Sequence, residues 1–384
     1  MSLITDTASL AAFCQRLSRA EFITVDTEFM REKTYWPQLC LVQLGGPDEA
    51  AAIDPMADGI DLAPLFELMQ NPAVLKVFHA ARQDIEIFLH LSGKVPQPLF
   101  DTQVAAMVCG FGDSVSYETL ASQLARARID KSMRFTDWSR RPLTEKQLHY
   151  ALSDVTHLRV AYEKLRQRLA RDGRAEWVAE EMALLADPRT YIVEPEEAWR
   201  RLKSRSSSPR FLMVLKELAA WREREARDKD LPRQRLLKDD SLMEIAAQAP
   251  TTIDELAHTR GLSRNAAEGK LGAALLGAVN RALATPESEW PHPIERNELP
   301  RGLGPVVDLL KVLLKLKGDE HDVAQRLIAS SSDLEWIAAD DNADVPALHG
   351  WRRGLFGEDA LKLKHGQIAL ALADNGKGLR LIAL

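Results

Sequence analysis

Phe22-Ile-Thr-Val-Asp-Thr-Glu-Phe29 is rich in β-branched residues and alternates in character, which predicts a strand, and its two acids stand two positions apart. Successive side chains of a strand point to opposite faces, so Asp26 and Glu28 share one face, about 7 Å apart. The flanking Val25 and Phe29 mark the strand as core. Two like charges there each call for a cation or a proton, and a divalent metal meets that need. From this segment alone, a strand end whose carboxylates face water is the alternative.

Outward from this strand, Leu39-Cys-Leu-Val-Gln-Leu44 and Ala50-Ala-Ala-Ile-Asp54 are further apolar runs, separated by Gly45-Gly46-Pro47 and Asp48. The short connections predict an antiparallel meander. A helix is expected at 61–70, a buried strand at Val74–Phe78, and a helix at 81–91 ending near Gly93. Leu99–Thr102 opens a short strand or helix, and 117–127 reads as helical. Thr144-Glu-Lys-Gln147 is a capping box ahead of a long helix reaching about residue 170. Asp84 falls in the first turns of its helix. Tyr150 and Asp154 stand four apart on the long one and share a face.

Beyond that helix the β texture ends. The chain has 384 residues, of which 46% are hydrophobic and 28% charged. That is ordinary globular composition with length for two to three domains at about 150 residues each, and it excludes disorder and collagen-like repeats. There is no basic, apolar leader and no run approaching the ~20 apolar residues of a membrane span, so a cytoplasmic protein is expected. Cys14, Cys40 and Cys109 have no disulfide or zinc spacing. Connector chemistry at 187–208 and 288–301 divides the chain into an α/β domain at 1–186 and two all-helical segments at 209–287 and 302–384. The formal net charge is −6, yet Trp199–Lys238 holds thirteen basic residues against five acids. That local +8 leaves −14 for the rest, as an acidic metal site joined to a phosphate-tracking surface would require, although solvated helices give the same pattern.

Four carboxylates and a tyrosine suit one reaction in particular. Two Mg2+ or Mn2+ ions held ~3.5–4 Å apart by oxygen ligands stabilise both the attacking and the leaving oxygen of an in-line phosphoryl displacement. The motifs Val25-Asp-Thr-Glu-Phe29 with Thr34-Tyr-Trp-Pro-Gln-Leu39, Lys76-Val-Phe-His-Ala80 with Asp84, Pro96-Gln-Pro-Leu-Phe-Asp-Thr-Gln103, Asp130-Lys-Ser with Asp137-Trp138, Arg141-Pro-Leu-Thr144, and Tyr150-Ala-Leu-Ser-Asp154 closely resemble the ribonuclease D family. The resemblance covers about residues 5–170 as a DEDD 3′→5′ exonuclease domain of the subtype with Tyr in its third motif. Segments 209–287 and 302–384 look like helicase-and-RNase-D C-terminal (HRDC) domains.

The resemblance implies a ribonuclease H-like fold, with a mixed sheet flanked by helices, followed by two all-α HRDC-like domains. It implies that Asp26, Glu28, Asp84 and Asp154 bind two divalent cations and that Tyr150 positions the attacking water. By the same resemblance, the substrates are the 3′ ends of tRNA precursors and other small structured RNAs, released as nucleoside 5′-monophosphates. Phe29, Tyr35, Trp36 and His79 are candidates for contact with terminal nucleotides. Lys131, Arg134, Arg140 and Arg141 can reach phosphates, although Arg141-Pro142 is equally a rigid lead into the helix. Arg222, Arg224, Arg227, Lys229, Arg233 and Arg235 can track an RNA backbone. On this reading, removing 208–384 weakens binding of structured RNA and spares hydrolysis of short single strands. A DNA-directed exonuclease of the same superfamily and a non-catalytic RNA-binding protein are the other readings. No hydrophobic seam demands a dimer, so a monomer is expected.

Overall fold

Six short apolar segments pair into one mixed sheet, in the computed structural model, which describes residues 2–204, 206–292, 300, 302–373, 376 and 378–384. In chain order the elements are β1 (Ser2–Ile4), α1 (Thr7–Leu17), β2 (Phe22–Met30), β3 (Gln38–Gly45), β4 (Ala50–Ile53), α2 (Ala63–Gln70), β5 (Leu75–Phe78), α3 (Arg82–Ser92), β6 (Leu99–Asp101), α4 (Thr102–Val108) and α5 (Tyr117–Leu120). The strand order is β1-β4-β3-β2-β5-β6. β3 and β4 are antiparallel, with Val42 opposite Ile53, whereas β1 runs parallel to β4 and β5 lies parallel to both β2 and β6. The expected meander is therefore one part of a mixed sheet. Its parallel edge strand β1 is too short to announce itself by alternation. Leu99–Thr102 resolves both ways, ending β6 and starting α4.

The long helix α6 (Glu145–Arg171) begins at the expected capping box, with the Gln147 N–H donating to Thr144 Oγ1 at 3.2 Å and the Thr144 N–H to Gln147 Oε1 at 3.0 Å. α6 approaches the sheet closely enough for Thr24 Oγ1 on β2 to donate to the Val155 carbonyl at 2.8 Å. A side chain at Gly45 would place its Cβ 2.5 Å from that hydroxyl, so glycine is required where helix and sheet meet. Lys76 on β5 is fully buried and donates to the carbonyls of Val74 (2.7 Å), Asn71 (2.9 Å) and Gln97. Those bonds offset what burying an ammonium group would otherwise cost. α7 (Ala175–Leu185) follows.

The chain divides into two compact units, one of Met1–Glu28, Leu39–Asp187 and Glu298–Leu384 and the other of Phe29–Gln38 with Pro188–Asn297. In the second unit, α8 (Pro209–Asp228), α9 (Arg233–Leu236), α10 (Asp239–Gln248), α11 (Ile253–Ala257), α12 (Arg264–Glu268) and α13 (Lys270–Ala284) enclose a core that includes Leu215, Leu218, Leu242, Ile245, Leu256, Leu275 and Val279. In the first unit, α14 (Gly304–His321) and its successors form a core around Leu310, Leu313, Ile337 and Phe356. Trp177 and Trp351 stack at 4.4 Å, Arg352 pairs with Glu181, and Ala324 donates to the Met107 carbonyl at 3.0 Å, tying this segment to the α/β layer.

One expectation needs correction. The C-terminal segment is not all helical, because β7 (Ile368–Leu372) and β8 (Leu379–Ala383) pair antiparallel, with Leu370 opposite Leu381. A short Leu/Ala/Ile run does not separate strand from helix by periodicity, and here cross-strand pairing decides.

Candidate active site

β2, α3 and α6 each contribute acids to one pocket of the first unit. Asp26, Glu28 and Asp154 present carboxylate oxygens that all lie within 4.8 Å of one another. Asp84 stands in the first turn of α3, buried, and accepts a hydrogen bond from Thr27 Oγ1. The start of α3 is set by Asp101, whose carboxylate accepts the N–H groups of Ala80 (3.0 Å), Ala81 (2.9 Å) and Gln103 (2.7 Å). Ala80 is thereby held at φ +58°, where non-glycine residues are uncommon. On α6, Tyr117 donates to the Ser153 carbonyl at 2.9 Å and fixes the helix one residue before Asp154. Thr27, Asp101 and Tyr117 did not emerge from the sequence as site residues, because their contribution is a tertiary hydrogen bond.

The electrostatics of the pocket are unbalanced. Burial first, and the Asp154 charge next, hold the Asp26 carboxyl well above the usual carboxylate range. Burial and then Asp26 do the same to Asp84. Burial, reinforced by Asp26, Asp154 and Asp84, pushes Glu28 up to about 10. Burial raises Asp154 to about 7 against an opposing hydrogen bond from Tyr150. Asp154 Oδ1 is buried without a hydrogen-bond partner. Tyr150 is raised too, by burial and then by Asp154, so its phenol stays protonated. Arg134 is the cation whose charge works against these shifts at Glu28 and at Tyr150. A set of oxygen donors that offers only carboxylates, one of them with an orphaned buried oxygen, fits a hard divalent cation.

The other expected contact residues are placed differently. His79 shares a 3.0 Å hydrogen bond between Nδ1 and Thr102 Oγ1, and its ring meets Tyr117 edge-on at 5.6 Å. Phe29 is half-buried at the end of β2. The side chain of Lys131 lies outside the described residues. Arg141 turns inward: its guanidinium donates to both oxygens of Asp54 at 2.6 Å, to the Cys40 carbonyl at 2.7 Å and to the Trp138 carbonyl at 2.8 Å. Those bonds engage the guanidinium within the protein. Arg222 is buried and bonds the Leu237 carbonyl (2.8 Å) and Asp239 (2.7 Å), so the expected RNA contact gives way to an internal brace. Tyr35, Trp36 and Arg227 belong to the second unit; Arg227 donates to the Val193 carbonyl and to the Tyr35 hydroxyl, and the Tyr35 and Trp36 rings meet edge-on at 4.8 Å.

Comparison with known proteins fits this geometry. A 3′-5′ exonuclease family model matches residues 1–170, and an HRDC domain model matches 211–279. A ribonuclease D from Granulibacter bethesdensis is 54% identical, covering 99% of this chain and 96% of that protein; one from Nitrobacter hamburgensis is 53% identical, covering 99% of each. The chain belongs to the ribonuclease D family. The crystal structure of Escherichia coli RNase D, described as an exoribonuclease involved in structured RNA processing, superposes with a TM-score of 0.83 at 32% identity, over 95% of this chain and 98% of that one. As a member of this family the protein is a 3′→5′ exoribonuclease of the DEDD superfamily, acting on RNA and using divalent metal. Among the described residues, no helix is long and apolar enough to cross a membrane.

Proposed function

We propose that Asp26, Glu28, Asp84 and Asp154 hold two divalent cations, Mg2+ or Mn2+, and that the enzyme trims the 3′ ends of tRNA precursors and other small structured RNAs. The observation that carries this reading is the convergence of three carboxylates within 4.8 Å beside a buried fourth, without enough positive charge to balance them. Bound there, the metals supply Lewis-acid stabilisation of the attacking and leaving oxygens. The protein's own groups do the rest. Thr27 orients Asp84, and Asp101 fixes the helix turn that carries it. Tyr150, kept protonated, orients the attacking water rather than taking its proton. The water oxygen bonds to the phosphorus of the last phosphodiester as the bond to the 3′ oxygen of the penultimate nucleotide breaks; the proton lost by the water passes to solvent and the departing oxygen takes one up from solvent, leaving a 3′-hydroxyl and a free nucleoside 5′-monophosphate.

RNA contacts are assigned to cations that have no internal partner among the described residues. Arg134 makes no ion pair among the described residues, stacks over the Phe135 ring at 5.2 Å, and Phe135 is 91% exposed. This pair offers a phosphate a charge and a base a stacking surface. In the helical segment Arg224, Lys229 and Arg233 pair with Glu196, Glu225 and Glu223, so backbone tracking falls to Arg201, Lys203, Arg210 and Arg235. The same reading assigns an exonuclease domain at 1–186, HRDC-like domains at 209–287 and 302–384, and a cytoplasmic monomer. Wild type and Asp154→Ala are compared on a 5′-labelled RNA with a single-stranded 3′ tail, and on its DNA counterpart, with Mg2+, Mn2+ or EDTA. A metal-dependent ladder from the RNA 3′ end, absent in Asp154→Ala and weaker on DNA, is expected; trimming by Asp154→Ala at the wild-type rate would refute the assignment.

A further inference from the structure

Glu28 is followed directly by Phe29–Gln38, a segment that packs in one compact unit with Pro188–Asn297. The bonds are specific. The backbone N–H groups of Tyr35 and Trp36 both donate to Asp230 Oδ1, at 3.0 and 3.1 Å. The Tyr35 hydroxyl donates to Glu223 and accepts from Arg227 (3.0 Å) and Arg233 (2.9 Å). Arg233 grips Glu223 through Nε and Nη2, the latter at 2.6 Å, and lies over the Tyr35 ring at 4.5 Å. The Glu223 side chain is 2% exposed, and Asp230 adopts φ +47°, so this is a built contact rather than a surface encounter.

We propose that Asp230 and Glu223 are positioning residues for the exonuclease reaction. They fix the segment 29–38, and through it the end of the strand that bears Asp26 and Glu28. The helical segment then contributes to hydrolysis itself, in addition to any hold on folded RNA. A short single strand that needs no such hold still depends on the clamp. This inference rests on Asp26 and Glu28 acting as metal ligands.

Asp230 permits a clean test because its backbone is left-handed. Asp230→Gly keeps that conformation and removes the acceptor; Asp230→Asn tolerates it and keeps a carbonyl acceptor. In the full chain with saturating Mg2+, Asp230→Gly should lower kcat on a short single-stranded RNA by about ten-fold with KM and Tm nearly unchanged. Amide exchange of residues 29–38 should accelerate in the same variant, and Asp230→Asn should restore most of both. Wild-type kcat in Asp230→Gly, unchanged exchange of 29–38, or an Asp230→Asn variant as impaired as Asp230→Gly would each overturn the proposal. Glu28→Gln, run in parallel, reports on the ligand reading separately. If it retains wild-type turnover, that reading fails, while the kcat of Asp230→Gly still decides the clamp.

Discussion

The acid pocket and the Tyr35 clamp both bury carboxylates, with opposite electrostatic outcomes. At Glu223, burial works to raise the carboxyl, but hydrogen bonds from Arg233 and Tyr35 outweigh it and hold the group below its ordinary value. At Asp26 and Asp84, burial is reinforced by neighbouring acids and the groups rise. A fold that balances one buried acid with its own cations, and leaves a cluster of four acids, two of them buried, unbalanced, has in the second place the arrangement expected of a site for charge from outside. The sharpest way to break this contrast is to remove an acid from each region. Asp26→Asn should lower kcat by about a thousand-fold or more while the protein remains folded. Retention of more than a tenth of wild-type turnover with Mg2+ would show that the pocket does not hold the catalytic metal.

Glu223→Ala should cost stability as well as turnover. It removes the carboxylate that Arg227 and Arg233 share beside a half-buried phenol, and breaking a buried pair from one side costs about 3–5 kcal/mol. Both arginines keep some contact with water, with 26% and 38% of their side chains exposed, which places the cost at the lower end. Urea denaturation measures it, and a loss below about 1 kcal/mol would mean that the clamp is a loose surface pairing. The sign of the pH effect follows from the lowered pKa. The stabilisation by Glu223 is present above its unfolded value of 4.5 and is lost as pH falls through the still lower folded value.

Arg134 and Arg141 sharpen the same distinction between balanced and unbalanced charge, and they also mark the limit of what sequence reveals. Periodicity carries the shared face of Asp26 and Glu28, the i,i+4 pairing of Tyr150 with Asp154, and the Thr144/Gln147 cap, because each depends on residues within a few positions. It does not carry the partner of a long side chain. Seven residues apart on one segment, Arg134 makes no ion pair among the described residues and acts on Glu28 only through space, whereas Arg141 closes on Asp54, 87 positions away. For the same reason Tyr35 reads as an exposed turn aromatic until α8, nearly 190 residues later, supplies Glu223. Arg134→Ala should raise KM for RNA by about ten-fold with Tm unchanged, as loss of one charge-assisted phosphate contact does. Arg141→Ala should lower Tm and leave KM nearly alone. The reverse pattern would exchange their roles.

The smallest effect is the most diagnostic, because its sign depends on metal. Asp154 rises from 3.8 to about 7 on folding, so between those values the folded state binds a proton that the unfolded chain releases. That stabilisation is complete below pH 3.8 and disappears as pH rises through 7. Other carboxylates confuse the acid side, so the useful window is about pH 5.5 to 8. In EDTA, Tm should therefore fall as pH rises across that window, and Asp154→Asn, which cannot ionise, should flatten the dependence and raise Tm at pH 8. With saturating Mg2+ the order must reverse: ionised carboxylates bind the cation, wild type gains stability at pH 8, and Asp154→Asn does not. A wild-type Tm at pH 8 indifferent to Mg2+ would show that protons alone neutralise the pocket, and the contrast with Glu223 would then be one of solvation, without reserved charge.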